Sequence, residues 1–415
     1  MKISVMSSIA LKNSGRMLTA TAILGVLTAA SGCTKKEDAP THPQATAPSA
    51  AAAAPTGGSN APTGDVIKIG EVGSMTGAEA TFGTSTHNGI DFAIQQINAA
   101  GGVKGKKLQV ISLDDQSKPD EAATDVTKLV TQEGVSAILG EVASSRSIAM
   151  APIAQQYKVP MITPSSTNPK VTELGDYIFR VCFIDPFQGK VMAKFAHDNL
   201  KATRIAILRD VKSDYSVGLA NFFAETFKGM GGQIVVDSSY SSGDVDFKSQ
   251  LTAIRTQKPD AIFVPGYYGE VGLIARQAHD LQITVPLLGG DGWDSPKLKE
   301  IGGKAIDGSY FSNHYSPEDK SPYVQDFLVK FKTTYGVVPD GLAAMGYDAA
   351  KILADAMGRA KSLSTADIRD AIAATKNFQG VTGNITINEK RDAVKSAVVL
   401  KVVGGEYKYQ TTIAP

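Results

Sequence analysis

The sequence predicts an α/β protein made of two doubly wound parallel-sheet lobes that are joined by a three-crossing hinge. Short apolar runs alternate with helical patterns from about residue 65 onward, which is typical of parallel sheets covered by helices. This alternation runs through twice, with a restart near Pro186, which indicates two similar lobes. A block of helical patterns follows both series, and it predicts that the chain returns to the first lobe.

The first series consists of strands and helices in strict alternation. In the helix predicted over Thr86–Ala99, the apolar residues Ile90, Ile94 and Ile97 share one helical face, and Gly101 follows the end. In chain order the predicted elements are strand Val66–Val72, helix Thr86–Ala99, strand Leu108–Leu113, helix Pro119–Glu133, strand Ala137–Leu139, helix Ser147–Tyr157 and strand Val159–Ile162.

The second series repeats this alternation, and a helical tail follows it. The series comprises helix Pro186–Asn199, strand Arg204–Leu208, helix Tyr215–Gly229, strand Gln233–Val236, helix Val245–Thr256, strand Ala261–Val264, helix Glu270–Asp280 and strand Pro286–Leu288. The tail comprises helices Pro322–Tyr335, Leu342–Ala360 and Thr365–Ala374, with short strands near Ile385 and at Ala397–Val403.

The order of these elements predicts where the lobes begin and end. We expect lobe 1 to contain residues 65–184 and 315–378, and lobe 2 to contain residues 185–314 and 379–415. The chain then crosses between the lobes three times, so three strands rather than one flexible linker form the hinge.

The first 64 residues have the pattern of an exported protein. Residues 1–16 carry basic but no acidic side chains, and residues 17–30 are largely apolar but too short to span a bilayer comfortably. The segment ends in Ala30-Ser31-Gly32-Cys33, which resembles the bacterial lipoprotein box. That resemblance implies a signal peptide over residues 1–32, lipidation of Cys33, and anchoring to a membrane at the periplasmic face of the envelope; an ordinary signal peptide is the alternative. Residues 33–64 are rich in Ala and Pro and predict a disordered tether.

Several classes of function are disfavoured by composition and spacing. The net charge is +1, and it becomes −2 without residues 1–32, so no basic surface for nucleic acid is expected. Cys182 is the only cysteine after Cys33, which excludes an internal disulfide in the predicted lobes. The five histidines lack zinc-ligand spacing, and there is no phosphate-binding loop or catalytic set. We therefore expect no metal, no cofactor and no enzymatic activity.

Six stretches with a particular order and spacing carry a family resemblance. They are Gly73-Ser-Met-Thr-Gly77, Ile97-Asn-Ala-Ala-Gly-Gly-Val-Lys-Gly105, Asp114-Asp115, Thr163-Pro-Ser-Ser-Thr-Asn-Pro169, Pro265-Gly-Tyr-Tyr-Gly-Glu270 and Met345-Gly-Tyr-Asp-Ala349. Together they resemble the leucine/isoleucine/valine-binding proteins of branched-chain amino acid ABC transporters, which have the type I periplasmic binding fold. The resemblance implies a monomeric receptor that closes on an amino acid between its lobes and delivers it to permease and ATPase subunits.

The first-lobe candidates follow predicted strands, where open α/β sheets bind ligands. Ser144 precedes a helix, whose free N–H groups and hydroxyl cap suit an anion. Ser166 and Thr167 lie in a proline-stiffened loop. The resemblance implies that these hydroxyls bind the α-carboxylate of the ligand, and that the second loop also reaches the ammonium group. A plain helix cap and a self-closing Ser/Thr turn are the alternatives.

In the second lobe, the separation between Tyr267 and Asp291 matches the tyrosine-to-acid separation of the family. The resemblance implies that Asp291 pairs with the α-ammonium, for which a turn-forming Asp-Gly is the alternative. Phe82 and Tyr215 match two aromatic residues of the cleft, and each has simple packing as its alternative.

Two departures from the family pattern affect the expected specificity. The family has a disulfide at the positions of Ser117 and Ala143, and it has a glutamate at the position of Asp291. The general grip on an α-amino acid is preserved, but a branched-chain side chain is less firmly indicated. The alternatives are a non-amino-acid solute (a short-chain amide, urea or an aromatic acid) and a ligand-sensing module for a signalling partner.

Overall fold

The computed structural model describes residues 64–415. The predicted signal peptide, the Cys33 lipidation site and the tether up to residue 63 lie outside the described residues. Within the part that is described, no helix is long and apolar enough to cross a membrane.

A five-stranded parallel sheet forms the first lobe, with strand order β2-β1-β3-β4-β5. The strands are β1 (Val66–Gly73), β2 (Lys107–Asp114), β3 (Ala137–Gly140), β4 (Met161–Thr163) and β5 (Ile178–Arg180). The helices between them are α1 (Ala80–Ala99), α2 (Pro119–Lys128), α3 (Ser144–Gln156) and α4 (Lys170–Glu173). Every residue of β3, β4 and β5 is buried, as expected for strands covered on both faces.

The second lobe repeats this plan with strand order β7-β6-β8-β9-β10 in its parallel part. Its helices are α5 (Asp185–Lys194), α6 (Asp214–Gly229), α7 (Lys248–Thr256), α8 (Tyr268–Asp280) and α9 (Pro296–Gly302). Its strands are β6 (Arg204–Asp210), β7 (Gln233–Tyr240), β8 (Ala261–Phe263), β9 (Leu287–Gly289) and β10 (Tyr310–Asn313).

The rest of the chain completes both lobes. The remaining elements are α10 (Pro322–Tyr335), α11 (Gly341–Arg359), α12 (Thr365–Ala373), β11 (Phe378–Gly380), β12 (Gly383–Ile387), β13 (Ala393–Val394), β14 (Ala397–Val403) and β15 (Glu406–Ile413). Helices α11 and α12 pack with the core of the first lobe. Strand β14 pairs antiparallel with β10, and β15 pairs antiparallel with β14. The chain therefore passes between the lobes after β5, after β10 and before β14, and the predicted fold class is confirmed.

The structure differs from the sequence expectation at the last predicted boundary. Strands β11, β12 and β13 form a small antiparallel sheet, and Ile385, Ile387 and Ala393 pack in the first-lobe core. Residues 379–394, which the sequence assigned to lobe 2, thus lie with lobe 1. A short hairpin has no face of its own to bury, so its apolar residues pack on the nearest available core.

Strands β5, β10 and β15 were not predicted, and neither were the short strands β11 and β13. The first two are only three and four residues long and include Arg180 and Asn313, so they do not form apolar runs. Strand β15 is a polar edge strand that follows the turn at Gly404-Gly405. Such a Gly-Gly pair is typical of a β-hairpin, but the polar residues after it do not form an apolar run. Because β14 and β15 run antiparallel to their neighbours, the second sheet is mixed rather than purely parallel.

Candidate functional site

The topology brings five of the predicted residues to one place between the lobes. In each sheet the strand order reverses, between β1 and β3 in the first lobe and between β6 and β8 in the second. Loops at such a switch point diverge and leave a crevice at the carboxyl ends of the strands. The residues of the crevice come from the segments that follow β1, β3, β6, β8 and β9: Phe82, Ser144, Tyr215, Tyr267 and Asp291.

These residues surround a small interlobe cavity. Its lining consists of Phe82, Val142, Ser144, Ser165, Tyr215, Tyr267, Asp291, Gly292 and Leu342. The Tyr215 and Tyr267 rings are parallel with centroids 5.3 Å apart, and the Phe82 ring meets Tyr267 edge-on at 5.5 Å. The volume is about 10 Å³, roughly the room that one water needs. Any larger ligand therefore requires the lobes or side chains to move.

Asp291 is the acidic centre of this cavity. One carboxylate oxygen, Oδ1, accepts hydrogen bonds from Gln188 Nε2 at 2.7 Å and from the Tyr215 hydroxyl at 3.0 Å. The other, Oδ2, lies 2.9 Å from His314 Nε2 and accepts a long bond of 3.4 Å from the Ser165 hydroxyl. All but one of these contacts have normal lengths, so the Ser165 contact is the weakest of the four.

Gln188 and His314 are functional candidates that the sequence analysis missed. His314 is buried, stacks on Phe183 with centroids 3.8 Å apart, and has its pKa lowered by burial. A neutral imidazole of this kind donates from Nε2 to Asp291. His314 directly follows β10, so the rule that selected Asp291 after β9 would have selected it too, had β10 been recognised. Gln188 lies inside α5 and carries no comparable signal.

The first-lobe hydroxyls are arranged differently from the expectation. Ser144 lines the cavity as the first residue of α3, and its Oγ accepts from the Asn168 backbone N–H at 3.2 Å. Ser166 lies behind the wall, with its Oγ 2.7 Å from Ser147 Oγ and 2.9 Å from the Val142 carbonyl oxygen. Thr167 is also buried and does not line the cavity. Ser165, one residue earlier, takes the place that the sequence analysis assigned to Ser166.

A buried charge cluster supports the first-lobe side of the crevice. Arg146 on α3 donates to Glu141 at 2.9 Å and to Glu79 at 2.9 Å, which connects the starts of α1 and α3. Burial, together with the charge of Glu141, raises the pKa of Asp115 to about 7. A buried arginine with several carboxyl partners is costly to rearrange, so this cluster holds both loops in position.

Direct contacts join the lobes around the cavity. The Ser145 hydroxyl donates to Asp214 Oδ2 at 2.9 Å, and the Tyr268 hydroxyl donates to the Ala78 carbonyl at 2.8 Å. The Asn168 side chain also donates to the Asp214 carbonyl at 2.8 Å. These contacts describe a closed conformation, since each needs residues of both lobes to be close together. Within residues 64–415, no group of three or more His, Cys, Asp or Glu side chains is placed to hold a metal ion.

Two α/β lobes, three crossings and a buried polar crevice between the lobes define a class: bilobed proteins that enclose a small ligand by closing on it. Comparison with known families agrees, because the family model described as periplasmic binding protein matches residues 66–406. The chain belongs to this periplasmic binding protein family, and the suspected resemblance is confirmed.

Several relatives are known by name. The chain is 31% identical over 340 residues to the Leu/Ile/Val-binding protein BraC3 of Rhizobium johnstonii, which covers 80% of this chain and 90% of that protein. Its fold is similar to that of the leucine-binding protein LivK from Thermotoga maritima, with a TM-score of 0.81, 45% identity, and coverage of 84% and 99%. It is also similar to LivJ from Streptococcus pneumoniae in complex with isoleucine, with a TM-score of 0.80, 35% identity, and coverage of 84% and 100%.

Proposed function

We propose that the protein is the extracytoplasmic solute-binding component of an ABC importer, and that its solute is an aliphatic amino acid of the branched-chain type. One observation carries the proposal: Asp291 of the second lobe and Ser144, the first residue of a helix in the first lobe, line the same cavity. Relatives described as leucine- and isoleucine-binding proteins support the same solute.

A zwitterion matches the two charged ends of this crevice. The start of α3 presents N–H groups and the Ser144 hydroxyl to an α-carboxylate, with the positive end of the helix dipole behind them. Asp291 offers its Oδ2 to an α-ammonium on the opposite side. The 3.4 Å contact from Ser165 is the one that an ammonium would replace most cheaply, because it is the weakest bond to Asp291.

The remaining walls suit an aliphatic side chain. The rest of the cavity wall is uncharged and consists mainly of Phe82, Val142, Leu342 and the ring faces of Tyr215 and Tyr267. Each buried methylene is worth about 0.8 kcal/mol, so such walls favour Leu, Ile or Val over Ala or Ser.

The mechanism that we propose is hinge closure without any bond being made or broken. A ligand first binds the Ser144 side of the open crevice, and lobe 2 then closes and brings Tyr215, Tyr267 and Asp291 against it. The ligand shifts the equilibrium toward closure because only the closed form lets it contact both lobes. The closed, monomeric receptor would then dock on a permease that works with ATPase subunits, while the lipid on Cys33 keeps it at the periplasmic face of a membrane.

A second candidate, an aromatic acid, is favoured by one observation. Asp291 already accepts from Gln188, Tyr215 and Ser165 and pairs with His314, so it does not depend on a cationic ligand for its partners. An anion bound at Ser144 between the aromatic rings would leave this set intact. Binding measurements separate the two candidates directly.

The test is calorimetric titration of the protein with leucine, isoleucine, alanine and benzoate. We expect leucine or isoleucine to bind most tightly. Replacement of Asp291 by Asn should weaken leucine binding more than tenfold, because a hydrogen bond to a charged group is worth roughly 1.5–3 kcal/mol. The matched control is Asp280→Asn, at an exposed position on α8, which should leave the affinity unchanged. Tight benzoate binding with no leucine binding would replace the first candidate by the second, and equal leucine affinity in Asp291→Asn would overturn the ammonium assignment.

A further inference from the structure

A second, larger cavity of about 620 Å³ lies between the lobes. Thr81 and Ser85 of α1 and Asp340 before α11 line it from the first lobe, and Asp294 and Tyr407 line it from the second. None of the nine residues of the small cavity lines this one. The cavity is therefore a separate space, and its volume falls in the range of small-molecule sites.

Two carboxyl groups, the buried Asp294 and the partly buried Asp340, give this cavity its charge. Asp294 Oδ2 accepts from Asn313 Nδ2 at 2.8 Å and from the Gly341 backbone N–H at 2.7 Å. Burial and the neighbouring Asp340 raise the pKa of Asp294 to about 7, and burial raises that of Asp340. Lys299 does not offset these two acids, because it pairs with Glu406 at 3.5 Å. When both carboxyl groups are ionised, the cavity has a negative charge that a bound cation would neutralise.

The hydroxyl of Tyr315 is an independent sign of a ligand. Tyr315 lines the cavity and is only 3% exposed, yet its hydroxyl has no hydrogen-bond partner among the described residues. Asp294 and Asp340 line the same cavity, and their charges add to the effect of burial, which raises the pKa of this hydroxyl. A buried hydroxyl without a partner costs free energy, which a polar ligand group in the cavity would recover.

Aromatic and apolar surfaces complete the walls. The hydroxyls of Tyr335 and Tyr407 already donate to Asp91 Oδ2 and to the Ser295 carbonyl, each at 2.8 Å, so their rings are the parts that remain for contact. Val337 and Val338 are 55% and 54% exposed beside Tyr335 and extend the apolar surface at the rim. Aromatic rings favour both apolar bodies and cations.

We propose that this cavity is a second binding site, for a small organic cation. Its ammonium group would lie at Asp294, Asp340 and the Tyr315 hydroxyl, and its apolar or aromatic body would lie against Tyr335 and Tyr407. Because the walls come from both lobes, such a ligand favours the closed form. The two sites are therefore linked. The cation raises the affinity of the first site for its solute, and the solute raises the affinity of this cavity for the cation by the same factor.

The experiment uses three probes of the same shape and different charge: tryptamine, indole-3-ethanol and indole-3-acetate. They are titrated into the protein, with and without saturating leucine. We expect tryptamine to bind in both conditions and more tightly with leucine, and the neutral and anionic probes to bind at least tenfold more weakly. Equal binding of the three probes, or no tryptamine binding at millimolar concentration, would overturn the proposal. Leucine binding is measured separately, so a failed first site and a failed second site give different results.

Variants locate the tryptamine in this cavity. Asp294→Asn and Asp340→Asn should each weaken tryptamine binding more than tenfold, and Tyr315→Phe, which removes no bond within the protein, about threefold. Glu300→Gln is the control for net charge, since Glu300 is exposed, pairs among the described residues with Lys297 alone and does not line the cavity. Binding near pH 7 should also release protons, so the measured heat should vary with the ionisation enthalpy of the buffer. Unchanged affinity in both Asn variants would show that tryptamine binds elsewhere and would refute the site.

Discussion

Asp185 is a fully buried carboxyl group at the first position of α5, close to Asp291. Burial raises its pKa to about 8; the Thr167 hydroxyl opposes this shift, and the charge of Asp291 adds to it. The ordinary value is 3.8, so the folded protein holds a proton here that the unfolded chain has lost at neutral pH. Since the folded state binds more protons between these two values, this group makes the free energy of unfolding fall as the pH rises from about 4 to about 8.

Replacement of Asp185 by Asn should remove this pH dependence. We expect the variant to be more stable than the parent protein at pH 8, by on the order of 5 kcal/mol for a shift of about four pKa units, and to differ little at pH 4. Urea unfolding at both pH values measures the two differences. The control is Asp280→Asn, at an exposed position, for which the difference should be small at both pH values. A stability difference for Asp185→Asn that is the same at pH 4 and pH 8 would contradict the raised pKa.

At the scale of elements, the crossing of α1 and α11 determines how the first lobe is assembled. A Cβ atom at Gly89 would lie 2.0 Å from the Ala343 carbonyl oxygen, and one at Gly346 would lie 2.4 Å from the Thr86 carbonyl oxygen. The two backbones therefore approach so closely that only glycine fits at these positions. This contact brings the chain after the second crossing back against the helix that carries Phe82.

We predict that Gly89→Ala destabilises the protein by roughly 2–4 kcal/mol, because α1 and α11 must separate to admit one methyl group. The matched control is Gly358→Ala in α11, the helix that α1 crosses, where a Cβ atom would meet no atom of the described residues within 4 Å. That control should be neutral or up to about 1 kcal/mol more stable, since alanine favours the helix. Chemical denaturation of both variants gives the comparison, and a neutral Gly89→Ala would mean that the helices do not cross this closely.

At the scale of the whole molecule, a few polar contacts between the lobes stabilise the closed form relative to an open form. The Ser145 hydroxyl bridges the lobes by donating to Asp214 Oδ2 at 2.9 Å and accepting from the Asp214 backbone N–H at 3.0 Å. Both groups return to water when the lobes open, so the contact contributes to closure and not to the stability of either lobe alone.

Ser145→Ala should therefore weaken leucine binding about three- to tenfold, which corresponds to the roughly 1 kcal/mol of a typical hydrogen bond. The unfolding midpoint of the ligand-free protein should not change. Small-angle scattering should show a larger mean radius of gyration for the ligand-free variant, with the parent value restored by saturating leucine. Thr127→Ala is the control, because its hydroxyl donates to the Ala123 carbonyl of its own helix and has no other partner in the part of the chain that the structure describes. A Ser145→Ala variant with parental leucine affinity would exclude this contact from closure.

The sequence by itself determined the two-lobed α/β architecture, because alternating apolar runs and amphipathic segments depend only on local spacing. The family resemblance singled out five residues that follow strands, and the carboxyl ends of parallel strands meet at one edge of a sheet, so their proximity could be predicted. They are Phe82, Ser144, Tyr215, Tyr267 and Asp291, and their role in ligand binding stays a prediction.

Only the tertiary structure decided which atoms actually meet. His314 and Gln188 reach Asp291 from a short strand and from a helix interior, where no local pattern marks a contact. Ser165 rather than Ser166 faces the cavity, because the backbone of the loop, and not its composition, sets which hydroxyl points inward. The cavity at Asp294 and Asp340 is lined by residues of both lobes. Its residues are separated by up to hundreds of positions in the chain, so their proximity is a property of packing that no local sequence pattern contains.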